Sequence, residues 1–228
     1  MSKAIVLLSG GLDSATTLGI AKEEGHEIQA LSFDYGQRHR VELDSSASLC
    51  EHYGVENSVI HIQYGAKGSA LTDYKMDVPK GRDESQMQEI PVTYVPARNV
   101  IFLSFALGRA EIFGAEKIYC GVNAIDYSGY PDCRPEFIAA FQKMANVAVA
   151  KTVGGECTIN VETPLISLTK AQIIKLGTSI GVPYHLTHSC YDPISNRLAC
   201  GQCDSCILRK KGFEEAGVTD PTVYSRFD

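Results

Sequence analysis

The stretch near the amino terminus restricts the fold more than any other part of the chain. Five apolar residues, 4–8, run directly into Ser9-Gly10-Gly11-Leu12-Asp13-Ser14 and then into a helical pattern. The apolar run predicts a buried strand, and the glycine pair lets the backbone turn tightly and approach a ligand. We expect Asp13 or Ser14 to cap the helix. The free N–H groups of its first turn then favour phosphate, although an ordinary glycine turn between strand and helix would have the same order.

Strand and helix patterns alternate along most of the chain. Strands are predicted at 27–33, 57–62, 117–122 and 158–162. Helices are predicted at 41–53 and 99–113, from Pro135 onward, and up to Ile180 with Ser167 or Thr169 as its cap. Alternation at this spacing indicates βαβ crossovers and therefore an α/β fold with a parallel sheet.

Composition excludes several classes of protein. The chain has 228 residues and a formal net charge of −6, which disfavours direct contact with nucleic acid or a membrane surface. No apolar run approaches the ~20 residues needed to span a bilayer, and no secretory signal precedes Ser9. We therefore expect a cytoplasmic protein.

Residues 64–96 interrupt the alternation with a polar stretch that has few periodic apolar positions. We interpret this segment as an excursion or lid over a site. A disordered surface insertion is the alternative.

Eight cysteines fall into two groups. Cys50, Cys120, Cys133 and Cys157 are scattered, and we predict free core thiols for them. The other four are clustered, at Cys190, Cys200, Cys203 and Cys206. Four thiolates at this spacing close a tetrahedral zinc site with no open position, so we predict a structural metal. An iron–sulfur cluster and a catalytic cysteine are the alternatives.

Other polar residues follow the predicted strands, where ligands bind in open parallel sheets. Asp34 and Arg38 suit a ribose or phosphate edge, although residues 38–40 could be a solvated basic turn. Lys170, near a helix start, needs an anionic partner such as pyrophosphate, unless it is a surface lysine.

Two further segments suit a flat, anionic substrate. Arg98 is available to bind a carboxylate in a bidentate fork, whereas Asn99 can cap the helix that follows. The loop around Asp126, Tyr127, Tyr130 and Asp132 could stack on and hydrogen-bond a heterocycle, or be an ordinary surface turn.

The string Ser9-Gly10-Gly11-Leu12-Asp13-Ser14 resembles the phosphate loop of the PP-loop family, the N-type ATP pyrophosphatases, which split ATP to AMP and pyrophosphate. Three more motifs and the four-cysteine tail resemble one branch, the 7-cyano-7-deazaguanine synthases of queuosine biosynthesis. These motifs are residues 33–39, 95–99 and 127–134. Leu8, where the branch often has Phe, and Ala97, where Gly is common, depart from the pattern without removing a polar group.

The resemblance implies an adenine-nucleotide α-hydrolase-like, Rossmann-like parallel sheet with helices on both faces and a small zinc-binding segment. It implies a PP-loop domain over residues 1–186 and a four-cysteine segment over residues 187–228, with zinc at the four clustered cysteines. ATP with Mg²⁺ would adenylate 7-carboxy-7-deazaguanine, ammonia would give the amide, and a second ATP would give the nitrile. A homodimer is also implied.

The same resemblance supplies the nucleotide-binding segment and supports Lys170, whereas the substrate contacts are hypotheses from the residues themselves. Those expected to bind ATP are Leu8, Ser9, Gly10, Gly11, Leu12, Asp13, Ser14, Ala15, Thr16, Thr17 and Leu18, with Asp34 and Arg38 added from their position. Catalytic roles fall to Ser9, Asp13, Ser14 and Lys170. Arg98, Asn99, Asp126, Tyr127, Tyr130 and Asp132 are the expected substrate contacts.

Two other functions remain open at this point. A tRNA-modifying PP-loop enzyme would need backbone contacts from a basic accessory domain, which the acidic balance disfavours. A non-catalytic nucleotide-binding module stabilised by zinc would bind ATP without releasing pyrophosphate.

Overall fold

A computed structural model describes residues 1–65, 67–83, 87, 89–125, 129–195 and 197–226. Within these residues one sheet has five parallel strands in the order β3-β2-β1-β4-β5. The strands are β1 (Lys3–Leu7), β2 (Glu27–Asp34), β3 (Glu56–His61), β4 (Lys117–Tyr119) and β5 (Asn160–Glu162). The predicted α/β class with a parallel sheet is confirmed.

Seven α-helices are described between and after the strands. They are α1 (Leu12–Glu23), α2 (Val41–Tyr53), α3 (Arg98–Phe113), α4 (Pro135–Ala148), α5 (Ala150–Val153), α6 (Lys170–Ser179) and α7 (Asp204–Ala216). Short 3₁₀ turns lie at Pro131–Cys133 and Tyr184–Leu186. Among the described helices none is both long and apolar enough to cross a membrane.

The helices cover both faces of the sheet. Ile5 and Leu7 of β1 face the cluster that holds Leu103 and Leu107 of α3 and Phe141 of α4. The alternate residues Ala4 and Val6 face a second cluster, built from α1, α2, α6 and α7. Successive strand residues point to opposite faces, so a strand buried on both sides is apolar throughout. Each fully buried Leu contributes about 1.5–3 kcal/mol.

Two strands are shorter than predicted. The chain leaves the sheet soon after β4 because Gly121 passes against α1, where a Cβ would lie 3.0 Å from Thr17 Oγ1. Before β5, the Ile159 N–H donates to Asn146 Oδ1 at 2.9 Å and its carbonyl accepts from the Gln142 amide. These side chains of α4 take the place of a strand partner.

The predicted helix caps gave mixed results. Thr169 is the cap of α6 and forms a capping box with Gln172, as one of the two alternatives anticipated. The prediction that Asp13 or Ser14 caps α1 is wrong, because the cap residue is Gly11 and no side chain bonds there as a cap. The prediction for Asn99 is also wrong: the cap of α3 is Ala97, in the left-handed region with φ 54°.

Described residues of the 64–96 segment pack against the cysteine-rich segment. Ala70 and Val78 are buried in one cluster with the four clustered cysteines. The Gly81 N–H donates to the Gln202 carbonyl at 2.9 Å, and Arg82 pairs with Asp204. This part of the segment is therefore ordered against the protein, while its action as a lid stays a prediction.

Candidate active site

The sheet reverses its direction of winding between β1 and β4. The chain runs outward through β2 and β3 on one side of β1 and through β4 and β5 on the other. In open α/β sheets ligands bind outside the carboxyl ends of the strands at such a point. A cleft opens there, and the loop after β1, Gly121 and Asn123 after β4, and Arg98 of α3 all line it.

The loop after β1 is held closely by two helices. Gly10 has φ +90°, and a Cβ on it would lie 2.8 Å from the Ser46 backbone nitrogen and closer still to the Glu42 carbonyl, both in α2. Ser14, in the first turn of α1, accepts from the Ser9 N–H at 3.2 Å and lies 3.0 Å from Ser9 Oγ. A tight glycine turn between two helix starts is the result.

Hydroxyl groups occupy the N–H groups at the start of α1. The Gly11 N–H donates to Ser9 Oγ at 3.4 Å, and the Leu12 N–H donates to Ser189 Oγ at 3.3 Å. These bonds are long, and both donors belong to residues that line the cleft. The positive end of the helix dipole points the same way, so an anion in the cleft would be a better acceptor for these N–H groups than the hydroxyl oxygens they now bond.

Lys170 reaches the loop from α6. Its Nζ lies 2.8 Å from both carboxylate oxygens of Asp13, and the residue is only 7% exposed. The Asp13 side chain keeps 22% exposure and lines the cleft. The lysine expected to need an anionic partner therefore has one within the protein.

The far end of the cleft is apolar apart from one guanidinium. The rings of Phe33 and Phe102 stack at 3.9 Å, with Tyr35 edge-on to Phe102. Burial alone would lower the pKa of Arg98, but the neighbouring Tyr35, Cys133, Tyr130 and Asp132 raise it overall. Arg98 thus carries its positive charge into an apolar pocket.

Three other ionisable groups at this end keep their protons at pH 7. Burial raises the pKa of Tyr35 well above its usual range. It also raises the pKa of the Cys120 and Cys133 thiols, which line the cleft, to about 12. Neither thiol is therefore poised as a nucleophile.

The four clustered cysteines form a candidate metal centre. Their Sγ atoms all lie within 4.8 Å of one another, and all four residues are buried. The Cys200 and Cys203 N–H groups donate to Cys190 Sγ and Cys200 Sγ at 3.2 and 3.3 Å. Four buried sulfur donors converging on one point suit a metal ion and leave no position for a substrate.

The residues around Cys190 connect the candidate metal centre to the loop after β1 through hydrogen bonds. Just before Cys190, Ser189 accepts from Leu12, and the His188 N–H donates to the Gly10 carbonyl at 3.0 Å. Tyr191, just after it, lines the cleft. One short segment therefore joins the two sites.

Comparison with known proteins places this chain in a family. Residues 3–217 match the family model described as Queuosine biosynthesis protein QueC. The chain belongs to the QueC family.

Curated relatives are highly identical to this chain over nearly their whole length. A 7-cyano-7-deazaguanine synthase from Solidesulfovibrio magneticus is 59% identical over 224 residues, covering 97% of this chain and 95% of that protein. Another from Desulfatibacillum aliphaticivorans is also 59% identical, covering 97% of this chain and 96% of that protein. The resemblance to this branch of synthases is confirmed.

A solved structure shares the fold at low identity. It is described as a predicted subunit of tRNA methyltransferase from Methanocaldococcus jannaschii, with a TM-score of 0.50 and 14% identity. The match covers 99% of this chain and 93% of that one. Likeness at this level shows the fold alone.

The QueC-family chain brings only part of the predicted ATP set to the cleft. Leu8, Ser9, Gly11, Leu12, Asp13 and Ser14 line it. Gly10 instead packs against α2. The other four members of the segment, Ala15, Thr16, Thr17 and Leu18, are buried within α1.

Asp34 and Arg38 point elsewhere. Asp34 Oδ2 pairs with Arg40 at 2.5 Å and lies 3.4 Å from His61 Nδ1. Arg38 donates to the Asp73 and Met76 carbonyls of the 64–96 segment at 3.0 and 2.7 Å. Their assignment to the nucleotide stays a prediction.

The predicted substrate residues divide in a similar way. Arg98 and Asn99 line the cleft. Asp132 accepts from the Asn99 N–H at 2.9 Å and so serves the first turn of α3. The Tyr130 hydroxyl lies 3.0 Å from Thr93 Oγ1. Asp126 and Tyr127 lie outside the described residues.

Several residues of the cleft were missed from sequence. They are His39, Glu42, His188, Ser189 and Tyr191. Burial, with the nearby His39, Arg197 and Arg209, lowers the pKa of His188 to about 4, so its ring is neutral at pH 7. Their positions in the sequence could have indicated them. His39 and Glu42 follow β2, and the other three lie within two positions of the predicted metal ligand Cys190.

Proposed function

We propose that the chain is a ligase that converts 7-carboxy-7-deazaguanine, ammonia and ATP into 7-cyano-7-deazaguanine. The path runs through an acyl adenylate and a primary amide, with pyrophosphate released at each activation and AMP at the step that follows it. One observation carries the proposal: the glycine loop of a PP-loop site and the charged Arg98 open onto the same cleft. Family membership supplies the substrate class.

The phosphate end would activate the substrate. A carboxylate oxygen is a poor leaving group until it is joined to AMP, and the barrier falls if charge on the departing pyrophosphate is stabilised. Ser9, Ser14 and the N–H groups of Gly11 and Leu12 would bind the phosphates, exchanging their present hydroxyl partners for phosphate oxygens. Lys170 would share its charge between Asp13 and pyrophosphate, and Mg²⁺ would accompany the triphosphate.

The apolar end would bind the deazapurine. The faces of Phe33, Phe102 and Val122 provide a surface for a flat ring. Arg98 would take the carboxylate in a bidentate fork, which is stronger than a neutral hydrogen bond because both partners are charged. Tyr127 or Tyr130 remains the proposed contact to the ring face and Asp126 or Asp132 the proposed contact to its N–H edge. Asn99 stays in the proposed substrate set.

The cysteine centre would hold one zinc ion in a structural role. Tetrahedral Zn–S bonds of about 2.3 Å set neighbouring sulfurs roughly 3.8 Å apart, which agrees with a spread of at most 4.8 Å. A four-iron cluster would place its own irons and sulfides between the thiolates and push them farther apart. When bound, zinc would supply folding energy to the segment and no chemistry to the reaction.

The remaining assignments follow from the same reaction. Its partners are small molecules, with free ammonia as the nitrogen source and no direct contact with nucleic acid or membrane, in the cytoplasm. A homodimer is included in the proposal because α3 and α4, on one face of the sheet, expose Phe105, Ile112 and Val147. Light scattering tests the dimer.

Product analysis tests the function. The protein is incubated with ATP, Mg²⁺, ammonium and 7-carboxy-7-deazaguanine, and products are identified by mass spectrometry. We expect two AMP and two pyrophosphate per nitrile. Formation of ADP and orthophosphate, or turnover only when tRNA is added, would refute the proposal.

An Arg98 variant tests the substrate end. Arg98→Ala should raise KM for the carboxy substrate by about 10²-fold, since a charge-assisted pair is lost. Arg226→Ala, at an exposed position, should leave KM unchanged. An unchanged KM in Arg98→Ala would remove this residue from the proposal.

A further inference from the structure

The proposed reaction needs a proton acceptor twice. When ammonia attacks the acyl adenylate, a C–N bond forms, the C–O bond to AMP breaks, and the new nitrogen must lose a proton to give the amide. When the amide oxygen is adenylated, AMP leaves with that oxygen and the nitrogen loses both remaining protons as the C≡N bond forms. This inference rests on the proposed function and concerns the group that receives those protons.

A chain of three polar side chains lies beside the phosphate loop. Gln37 is fully buried and donates through Nε2 to Glu42 Oε1 at 2.9 Å. The other carboxylate oxygen, Oε2, lies 3.3 Å from His39 Nε2. Both oxygens of Glu42 therefore have a neighbour, and the carboxylate is held against the imidazole.

The imidazole has an unsatisfied atom. His39 is 4% exposed, and its Nδ1 is buried with no hydrogen-bond partner among the described residues. An unpaired buried polar atom destabilises the folded state. Such atoms in a native structure call for an explanation, and a catalytic role is one of the recognised ones.

The chain lies between the two ends of the cleft. His39 and Glu42 both line it. The Glu42 carbonyl packs against Gly10 of the phosphate loop. At the other end, burial raises the pKa of Tyr35, the charge of Arg98 opposes the rise and that of Glu42 adds to it, so Glu42 is close enough to Tyr35 to act on it electrostatically.

We propose that His39 is the proton acceptor for the substrate nitrogen in both halves of the reaction, with Glu42 as the positioning residue. The resting proton is on Nε2, facing Glu42. In amide formation the nitrogen gives one proton to Nδ1 and keeps the N–H electron pair as its lone pair while AMP leaves. In the second half it gives one proton from the O-adenylated amide and a second as its N–H electron pair forms the C≡N bond and AMP leaves, and His39 passes each proton to solvent water before it accepts the next. The carboxylate stabilises the imidazolium that results, and Gln37 keeps the carboxylate in place. This arrangement of base and orienting carboxylate is common in enzymes.

Other groups lining this part of the cleft are less suited. The Cys120 and Cys133 thiols and the Tyr35 phenol hold their own protons at pH 7 because burial raises their pKa values. Asp13 is already paired with Lys170. Two imidazoles, His39 and His188, line the described cleft. Only that of His39 lies beside a carboxylate there, and the other oxygen of this carboxylate is bonded by Gln37.

The test separates steps that need a proton acceptor from one that does not. Adenylation of the carboxylate moves no proton from nitrogen, so exchange of labelled pyrophosphate into ATP, without ammonium, should stay within about twofold in His39→Asn. Amide formation should fall by about 10²–10⁴-fold. Nitrile formation from added amide, which uses no ammonia, should fall likewise. Glu42→Gln should slow the same two steps by about tenfold and spare the exchange.

Controls keep the outcomes distinct. His52→Asn, at an exposed position near the end of α2, the helix that carries Glu42, should match the wild type in every assay. The inference is overturned if His39→Asn forms nitrile from amide at the wild-type rate, or loses exchange as severely as amide formation. Absence of exchange in the wild type would instead overturn the proposed function.

Discussion

Substituting Gly10 by alanine tests how closely the phosphate loop depends on α2. The backbone at Gly10 has φ +90°, a conformation that costs an L residue about 1–3 kcal/mol. The new Cβ would also lie 2.8 Å from the Ser46 nitrogen and closer to the Glu42 carbonyl. Both atoms are backbone, so relief requires a shift of α2, at about 1–3 kcal/mol. The total is roughly 2–6 kcal/mol out of a typical 5–15.

A second glycine separates the two causes. Gly54 ends α2 with φ +61°, and a Cβ at this position would meet no heavy atom within 4 Å. Gly54→Ala therefore carries conformational strain alone, about 1 kcal/mol. Urea unfolding of both variants gives the difference, which isolates the contact with α2.

Activity gives an independent measurement. A shift of α2 would displace Glu42 and the loop together, and a misplacement of about 1 Å can slow a reaction about 10²-fold. We expect pyrophosphate exchange to fall by that order in Gly10→Ala and to be unchanged in Gly54→Ala. Equal losses of stability in the two variants, with exchange intact in both, would refute the close-approach argument.

Three other perturbations have definite expected results. Lys170→Met leaves the Asp13 carboxylate unpaired, which should cost about 1–3 kcal/mol because Asp13 is partly exposed, and should slow pyrophosphate exchange about 10²–10³-fold; exposed Lys175→Met on the same helix is the control for urea unfolding and exchange. Cys206→Ser should release the metal, measured by elemental analysis, and raise hydrogen exchange over residues 69–82; unchanged protection there would contradict the packing described. Burial would raise the pKa of Glu24, but bonds from Tyr119, His26 and Lys117 lower it overall. Its stabilising contribution is present above the ordinary glutamate pKa and is lost as pH falls through the lower folded value, so Glu24→Gln should flatten the pH dependence of stability below the ordinary glutamate pKa, with Glu23→Gln as control.

Local patterns in the sequence predicted most of the elements. Each of these signals spans only a few residues. They are the apolar run before Ser9, the glycines that end α2 and α3, and Pro135 in the first turn of α4. The structure has these features because apolar periodicity and backbone conformation are local properties. The phosphate loop was found for the same reason.

Contacts across long stretches of chain were not predictable in this way. The carboxylate that serves the first turn of α3 comes from a residue 33 positions away. The partner of Lys170 is 157 positions away, and the hydroxyl that meets Leu12 is 177 positions away. Single-sequence patterns identify a residue that needs a partner, as they did for Lys170, but the fold decides which partner it has.

The cysteine-rich segment takes part in building the cleft. Residues on both sides of position 186 line it, since His188, Ser189 and Tyr191 stand beside the loop after β1. Cys190 lies between Ser189 and Tyr191, so an ion bound to its sulfur holds the neighbouring residues in place. Two of these neighbours bond to the loop after β1: the His188 N–H to Gly10 and the Ser189 hydroxyl to Leu12. A structural zinc ion can contribute on the order of 10 kcal/mol to folding, far more than these hydrogen bonds at about 1 kcal/mol each. Loss of the metal should therefore weaken nucleotide binding as well as the segment itself, although no sulfur atom needs to touch the substrate.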